Sequence, residues 1–390
     1  MRYNTVFFAL LLISMTVYAQ EKSSLELSFN VGLFNNSINE PLLSQSYGFL
    51  DNTEKANIID ALNSKNYIQF ELDNKISYQN KKRWGLSFGN HAGLFAKYNK
   101  SMVELSLLGN SPFKDVSLQL APLEVTAFHY SKLEANYQWH PSFSSSLAII
   151  SGHQLAELDV GNAIFSTGVS GNSVGYELDL EAHYTDTTDL INNAFRHNGI
   201  GAALGFSLID STDDGYYTIS IKDLGFIRWN ESTNNAYINS SWTFEGINVD
   251  DFIEFNDSLL TNDFDSIQAV FRSVNSESYT WRLPTTVEFT TFQKTSIELA
   301  DAVMLSVVHK SRIYTFPRFS FDVFKSLGRH DFRLGFHVGG FERAGFQFGY
   351  GFKAKNTTYT LFTKQANSII PSQNYGIHFA FGIKRVFSNK

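Results

Sequence analysis

From Tyr375 to Phe387 the chain alternates, and that alternation constrains its fold more than any other feature. Tyr375, Ile377, Phe379, Phe381, Ile383 and Phe387, with Arg385 among them, occupy one set of positions. Gly376, His378, Ala380, Gly382, Lys384 and Val386 occupy the other. Successive side chains of a strand point to opposite faces, so one face is large and apolar and the other mostly small or polar. In a soluble sandwich the large face must meet a second sheet. In a membrane barrel it meets lipid, and the polar face meets a wet lumen. The segment therefore reads as the closing strand of an outer-membrane barrel. On it Phe379 and Phe381 are expected to face lipid, and His378 and Lys384 to face inward. A charge should then be tolerated better at 378 than at 379.

The pattern recurs. Val174–Tyr184, Ile200–Leu208, Tyr217–Ile221, Phe332–Val338 and Ala344–Phe352 alternate in the same way, and Leu25–Leu33 supplies a first strand. Ile68–Tyr78 shares a face broken at Asn74, and Trp84–Phe88 starts another strand. Residues 101–109, 123–130 and 357–364 read as weaker strands. Turn signals separate the runs: Gln79–Lys82, Ser211–Gly215, Ser326–His330 and Lys355-Asn356. The count is 12 to 16 strands, with about 14 as the best value, in one antiparallel all-β transmembrane barrel over residues 20–390.

Composition agrees. The 36 Phe and 18 Tyr suit a wall that shows Phe to lipid and sets Tyr and Trp at the interfaces. The formal net charge of −7 argues against nucleic acid, which needs a basic surface. No cysteine occurs, which excludes disulfides, thiolate metal sites and a cysteine-borne lipid anchor. Arg2, the apolar run Val6–Val17 and Val17-Tyr18-Ala19 read as a secretory signal over residues 1–19, cleaved before Gln20. Beyond residue 20 no apolar stretch reaches the length of a membrane helix.

Two stretches break the strand pattern. Thr53–Leu62 reads as a short helix with Thr53 as N-cap, placed either as a plug folded into the lumen or as a cap on a long loop. Gly246–Ser278 is an acidic loop insertion in which Phe252, Phe255 and Phe264 are interleaved with carboxylates. Those three rings are candidates for a ligand-capture loop.

No phosphate loop, zinc helix or nucleophile elbow occurs, so neither catalysis nor a cofactor is expected. Glu177, Asp179, Glu181 and His183 share one face of one strand and are candidate lumen-facing groups, close enough to share a cation or perturb one another. A polar row facing a wet lumen gives the same spacing. His129 with Ser131, and His153 after Ser151, are the sequence-adjacent Ser/His pairs a hydrolase would use, but such pairs arise freely in a serine-rich chain.

Several short motifs add a resemblance. They are Leu120-Ala121-Pro122-Leu123-Glu124-Val125 leading to His129-Tyr130, then Phe244-Glu245-Gly246-Ile247, Tyr279 with Leu283-Pro284, and the closing Gly382–Phe387. With the signal ending at Ala19-Gln20 and the early helix, the chain resembles a family of Bacteroidota outer-membrane barrels, itself similar to the FadL-like long-chain fatty-acid transporter superfamily. The resemblance implies a barrel of about 14 strands with an N-terminal plug. It also implies kinship with carriers of small hydrophobic molecules and with barrel components of type IX secretion. No catalytic residue carries over. The tail Ser388-Asn389-Lys390 departs from barrels that end on their last aromatic residue. Partners would be outer-membrane lipid, and either a hydrophobic small molecule or, for an accessory scaffold in secretion or surface display, other envelope proteins.

Overall fold

The structure, a computed structural model, describes residues 22–39, 50–185, 195–244, 274–340, 344–370 and 375–387. Its first elements are β1 (Ser23–Asn35), α1 (Asn52–Ala61), β2 (Lys65–Gln79), β3 (Trp84–Asn99), α2 (Lys100–Leu108), β4 (Ser117–Gln119), β5 (Leu123–His140) and β6 (Phe143–Thr167). There follow β7 (Val174–Tyr184), β8 (Gly199–Thr212), β9 (Gly215–Trp229), β10 (Asn234–Phe244), β11 (Val274–Ser276), β12 (Thr280–Arg282) and β13 (Thr286–Lys294). The last are β14 (Ala302–Lys310), β15 (Phe316–Leu327), β16 (His330–Gly340), β17 (Gly345–Ala354), β18 (Thr357–Thr363) and β19 (Gly376–Phe387).

Among the described residues, fourteen of these strands close an antiparallel barrel. The circuit runs β1-β2-β3-β5-β6-β8-β9-β13-β14-β15-β16-β17-β18-β19 and returns to β1, with Phe29 opposite Phe381 across the seam. Closure leaves no unpaired edge in the wall, the condition for backbone to cross hydrocarbon as strands. No described helix is long and apolar enough to span a membrane. Tight turns after β2, β5, β8, β15 and β17 gather at one end, and the long connections gather at the other, the usual asymmetry of outer-membrane barrels.

The faces follow the alternation. Phe379 and Phe381 are 43% and 39% exposed on the outer wall, whereas His378 is 5% exposed on the inside. His378 packs between Phe34 and Phe362, with ring centroids 6.0 and 5.8 Å away, and its Nδ1 accepts the Lys364 N–H at 3.1 Å. An arginine there would displace packed groups. The inward position suited to charge is that of Lys384.

Three further sequence expectations change. Residues 101–109 hold a helix, α2, instead of a strand. Asn99 caps it by accepting the Ser101 N–H, and Gly109 ends it at φ +71°, a left-handed conformation that glycine adopts without strain. The N-cap of α1 is Asp51 rather than Thr53. Its carboxylate accepts from the N–H groups of Thr53 and Glu54 while Glu54 reaches back to the Asp51 N–H, a complete capping box. Finally, β7 forms but lies outside the closed circuit. The 25-residue β6 pairs with β8 through Phe143–Gly152 and with β7 through Ala156–Thr167. Beyond Gly152 it parts from β8 while staying paired with β5 as far as Val160, and its end, with β4, β7, β10 and β11, builds a side sheet at the long-loop end.

Candidate functional site: a sealed lumen

Inward-facing residues divide the lumen in two. At the short-turn end it is polar. Ser24, Glu26, Lys75, Asn136, Ser144 and Lys384 help line a cavity of about 390 Å³. A neighbouring space of about 400 Å³ continues past Lys132, Glu134 and Asp223. Lys132 bonds Asp223 at 2.7 Å and lies 3.4 Å from Glu134, so its charge is shared between two carboxylates. Farther round the wall, Arg333 holds Asp322 through two 2.8 Å bonds. Gly335 leaves the space for this pair, because a Cβ there would strike the Asp322 carboxylate.

Towards the long-loop end the lumen fills with rings. His91, Tyr130, Phe128 and Phe95 stack in series at centroid distances of 5.0, 5.6 and 5.9 Å. Trp281, from the connection between β9 and β13, lies 5.0 Å from Phe128. It joins Trp229, Ile227, Ile150, Leu155 and Leu283 in a buried cluster. A second cluster runs from Phe95 on β3 to Val308 on β14, with Ile313 and Tyr314. The Glu71 carboxylate on β2 accepts a hydrogen bond from the Lys310 ammonium on β14. In the circuit six strands separate β2 from β14 in either direction, so this ion pair crosses the full width of the lumen.

The predicted polar row sits elsewhere. Glu177, Asp179, Glu181 and His183 lie on β7, in the side sheet, on the face that continues from inward Glu157. Only Glu181 and His183 come together, at 2.8 Å. The Nδ1 of His183 meets Asn235 at 2.5 Å, and its ring stacks on Tyr279 at 3.7 Å. The Tyr279 hydroxyl donates to Glu157, which also receives Arg312. Burial first, and then the Glu157 carboxylate, push that hydroxyl well above its ordinary titration range. These contacts tie the side sheet to the connections after β9 and β14. Among the described residues no three His, Asp or Glu gather as a metal-ligand set.

The Ser/His pairs also rearrange. Ser131 meets His153 Nε2 at 2.7 Å, and Ser151 meets His197 Nδ1 at 2.8 Å. Behind His153 stands the Arg196 carbonyl rather than a carboxylate. Phe252, Phe255 and Phe264 lie outside the described residues. The strongest features of the lumen, the crossing Glu71–Lys310 pair and the aromatic column, lacked a sequence signal, since partners 239 residues apart share no spacing.

Comparison with known proteins places the chain. The family model described as "Family of unknown function (DUF5723)" matches residues 19–363. The chain belongs to that family. No curated protein matches it. Among solved structures it is similar to the Pseudomonas putida toluene transporter TodX at 9% identity and a TM-score of 0.43, covering 95% of this chain and 92% of that one. It is similar to a Pseudomonas aeruginosa FadL homologue at 8% identity and a TM-score of 0.38, covering 94% and 90%. The Ralstonia pickettii toluene transporter TbuX matches at 10% identity and 0.25, again covering 94% and 90%. Likeness this distant carries no argument about ligand or mechanism, which must rest on the lumen itself.

Proposed function

We propose that this chain is an outer-membrane barrel that carries small hydrophobic or amphipathic molecules through a gated lumen. The observation that carries the reading is the seal. Stacked rings, His91 and Tyr130 among them, fill the long-loop half, and a polar vestibule lies below them. A general diffusion pore keeps a hydrated path with rings of charge. An aromatic constriction refuses hydrated ions and offers an apolar solute a partner. In this reading residues 1–19 are removed as a signal, and Phe252, Phe255 and Phe264 of the acidic stretch 246–278 capture the solute. The helix region 53–62, on the β1–β2 connection at the long-loop end, acts as the plug that gates entry.

A second reading is a scaffold for other envelope proteins, without enzymatic activity. The filled lumen and the side sheet of β6, β7, β10 and β11 favour it, since neither needs a solute. Planar-bilayer conductance combined with binding of a fluorescent fatty acid separates the readings. The carrier gives low conductance and saturable binding that weakens when residues 53–62 are deleted. Large, steady conductance defeats both readings. Low conductance without binding, together with co-purification of an envelope protein, establishes the scaffold.

A further inference from the structure

The outer wall carries a polar line where lipid should meet only apolar groups. Asn74 on β2, Asn90 on β3 and Ser131 on β5 all point outward, on one continuous row of paired residues. Exposed Ile76, Phe88 and Leu133 flank them towards the short turns, and exposed Leu33 and Leu94 towards the long loops. The line therefore lies within the apolar band. Polar groups at that depth are costly unless they are paired.

The line is hydrogen-bonded end to end. Asn74 and Asn90 meet at 3.1 Å, Asn90 and Ser131 at 2.6 Å, and Ser131 and His153 at 2.7 Å. The far nitrogen of His153 lies 3.1 Å from the Arg196 carbonyl. That nitrogen must donate to the carbonyl, which fixes the orientation of the ring. The Ser131 hydroxyl donates to the Asn90 carbonyl, and the Asn90 amide donates to the Asn74 carbonyl. Asn74 thus keeps both N–H donors of its amide unused. The chain of bonds ends at Asn74 with unused donors on the outer face. No other side-chain hydrogen bond of Asn74 occurs among the described residues.

A groove of about 470 Å³ opens beside it. Ala92, Ala127 and Ala156 form its floor, and Phe70 and Leu72 one side. Phe195 stands over the far side, 5.2 Å from the His129 ring and 5.6 Å from the His153 ring. The ladders from β2 through β6 continue beneath it with one bulge, at His153, and most of the lining residues point outward from the wall.

We propose that this groove binds a membrane amphiphile carrying an amide or hydroxyl beside an acyl chain. The polar group bonds Asn74 and Asn90 while the chain lies over the alanine floor. Ser131 and His153 do not line the groove, so they act as support for the asparagines and not as a nucleophile and base. The site stands apart from the carrier reading and survives its failure.

The test uses tritiated palmitoylethanolamide as probe and hexadecane as the competitor without a polar group, on the full barrel in detergent. Saturable binding that hexadecane does not displace is expected. Asn74→Leu with Asn90→Leu should weaken it at least tenfold, and Ala127→Phe should abolish it. Leucine suits a lipid-facing position, and a heat-modifiability gel confirms that each variant is folded. The double variant should leave conductance unchanged. Absence of saturable binding, displacement by hexadecane, or equal binding by the double variant would overturn the proposal.

Discussion

Replacing Lys310 with methionine tests whether the ion pair across the lumen ties opposite walls together. Methionine keeps the length of the side chain and removes the charge. The Glu71 side chain is 8% exposed and that of Lys310 is 24% exposed, so the carboxylate is the partner left stranded. Removing one member of a buried pair costs about 3–5 kcal/mol, mostly through the uncompensated charge of the other. Lys310→Met should therefore approach that figure. Glu71→Gln should cost less, because the remaining ammonium reaches more water. The double variant should recover most of the loss, since replacing both charges with neutral groups is often close to neutral. Urea unfolding in phospholipid vesicles, followed by tryptophan fluorescence, gives the three values and their coupling. Planar-bilayer recordings on the same proteins should show conductance steps in Lys310→Met that the double variant lacks. Two single losses below about 0.5 kcal/mol that add without coupling would refute the reasoning, because exposed pairs behave in that way.

Other consequences are as direct. Trp281→Ala removes a 1%-exposed ring from the seal and should cost about 3–5 kcal/mol while raising conductance; an unchanged closed state would place the constriction elsewhere. Phe379→Arg puts a charge on the lipid face and should cost about 2–4 kcal/mol in vesicle unfolding, whereas Lys384→Gln on the inner face should change little. Asp301, in the connection before β14, is held below its ordinary carboxylate value by the Ser326 N–H and then by Lys325. Its depressed value stabilises the fold above pH 3.8, and that contribution disappears as pH falls through the folded-state value. Wild type and Asp301→Asn should thus differ in urea midpoint at neutral pH and converge in acid.

The barrel was legible because a closed wall with an apolar outer face imposes a two-residue period on every strand, and Tyr375–Phe387 shows it with only Arg385 out of place. The tight turns were legible for the same local reason. What sequence alone missed depends on distance along the chain. Val174–Tyr184 alternates as well as any wall strand, yet it pairs beyond the wall, because Gly199 takes its place beside Gly152. Periodicity reports a face and not a neighbour. Residues 101–109 misled because Val103, Leu105 and Leu107 alternate, while the Asn99 cap and Gly109 decide for helix. In the lumen, nothing in the local sequence marks Glu71 and Lys310 as partners, because they stand 239 residues apart. The outward asparagine was visible as a break in the β2 face, but its meaning needed Asn90 and Ser131 beside it.

The length of β6 has a mechanical consequence. At about 3.3 Å per residue, its 25 residues would span roughly 80 Å if straight. An apolar band about 25 Å tall, crossed at a tilt of 35–45°, uses only about ten of them. If the barrel sits in the outer membrane as proposed, the rest is a beam fixed at one end in the bilayer. Its free portion is stiffened by the ladder to β7, and the bulges at His153 and Gly161 mark where it bends. A pull or push on the side sheet would reach the barrel through continuous backbone rather than through a slack loop, so contact made above the membrane could be felt inside it.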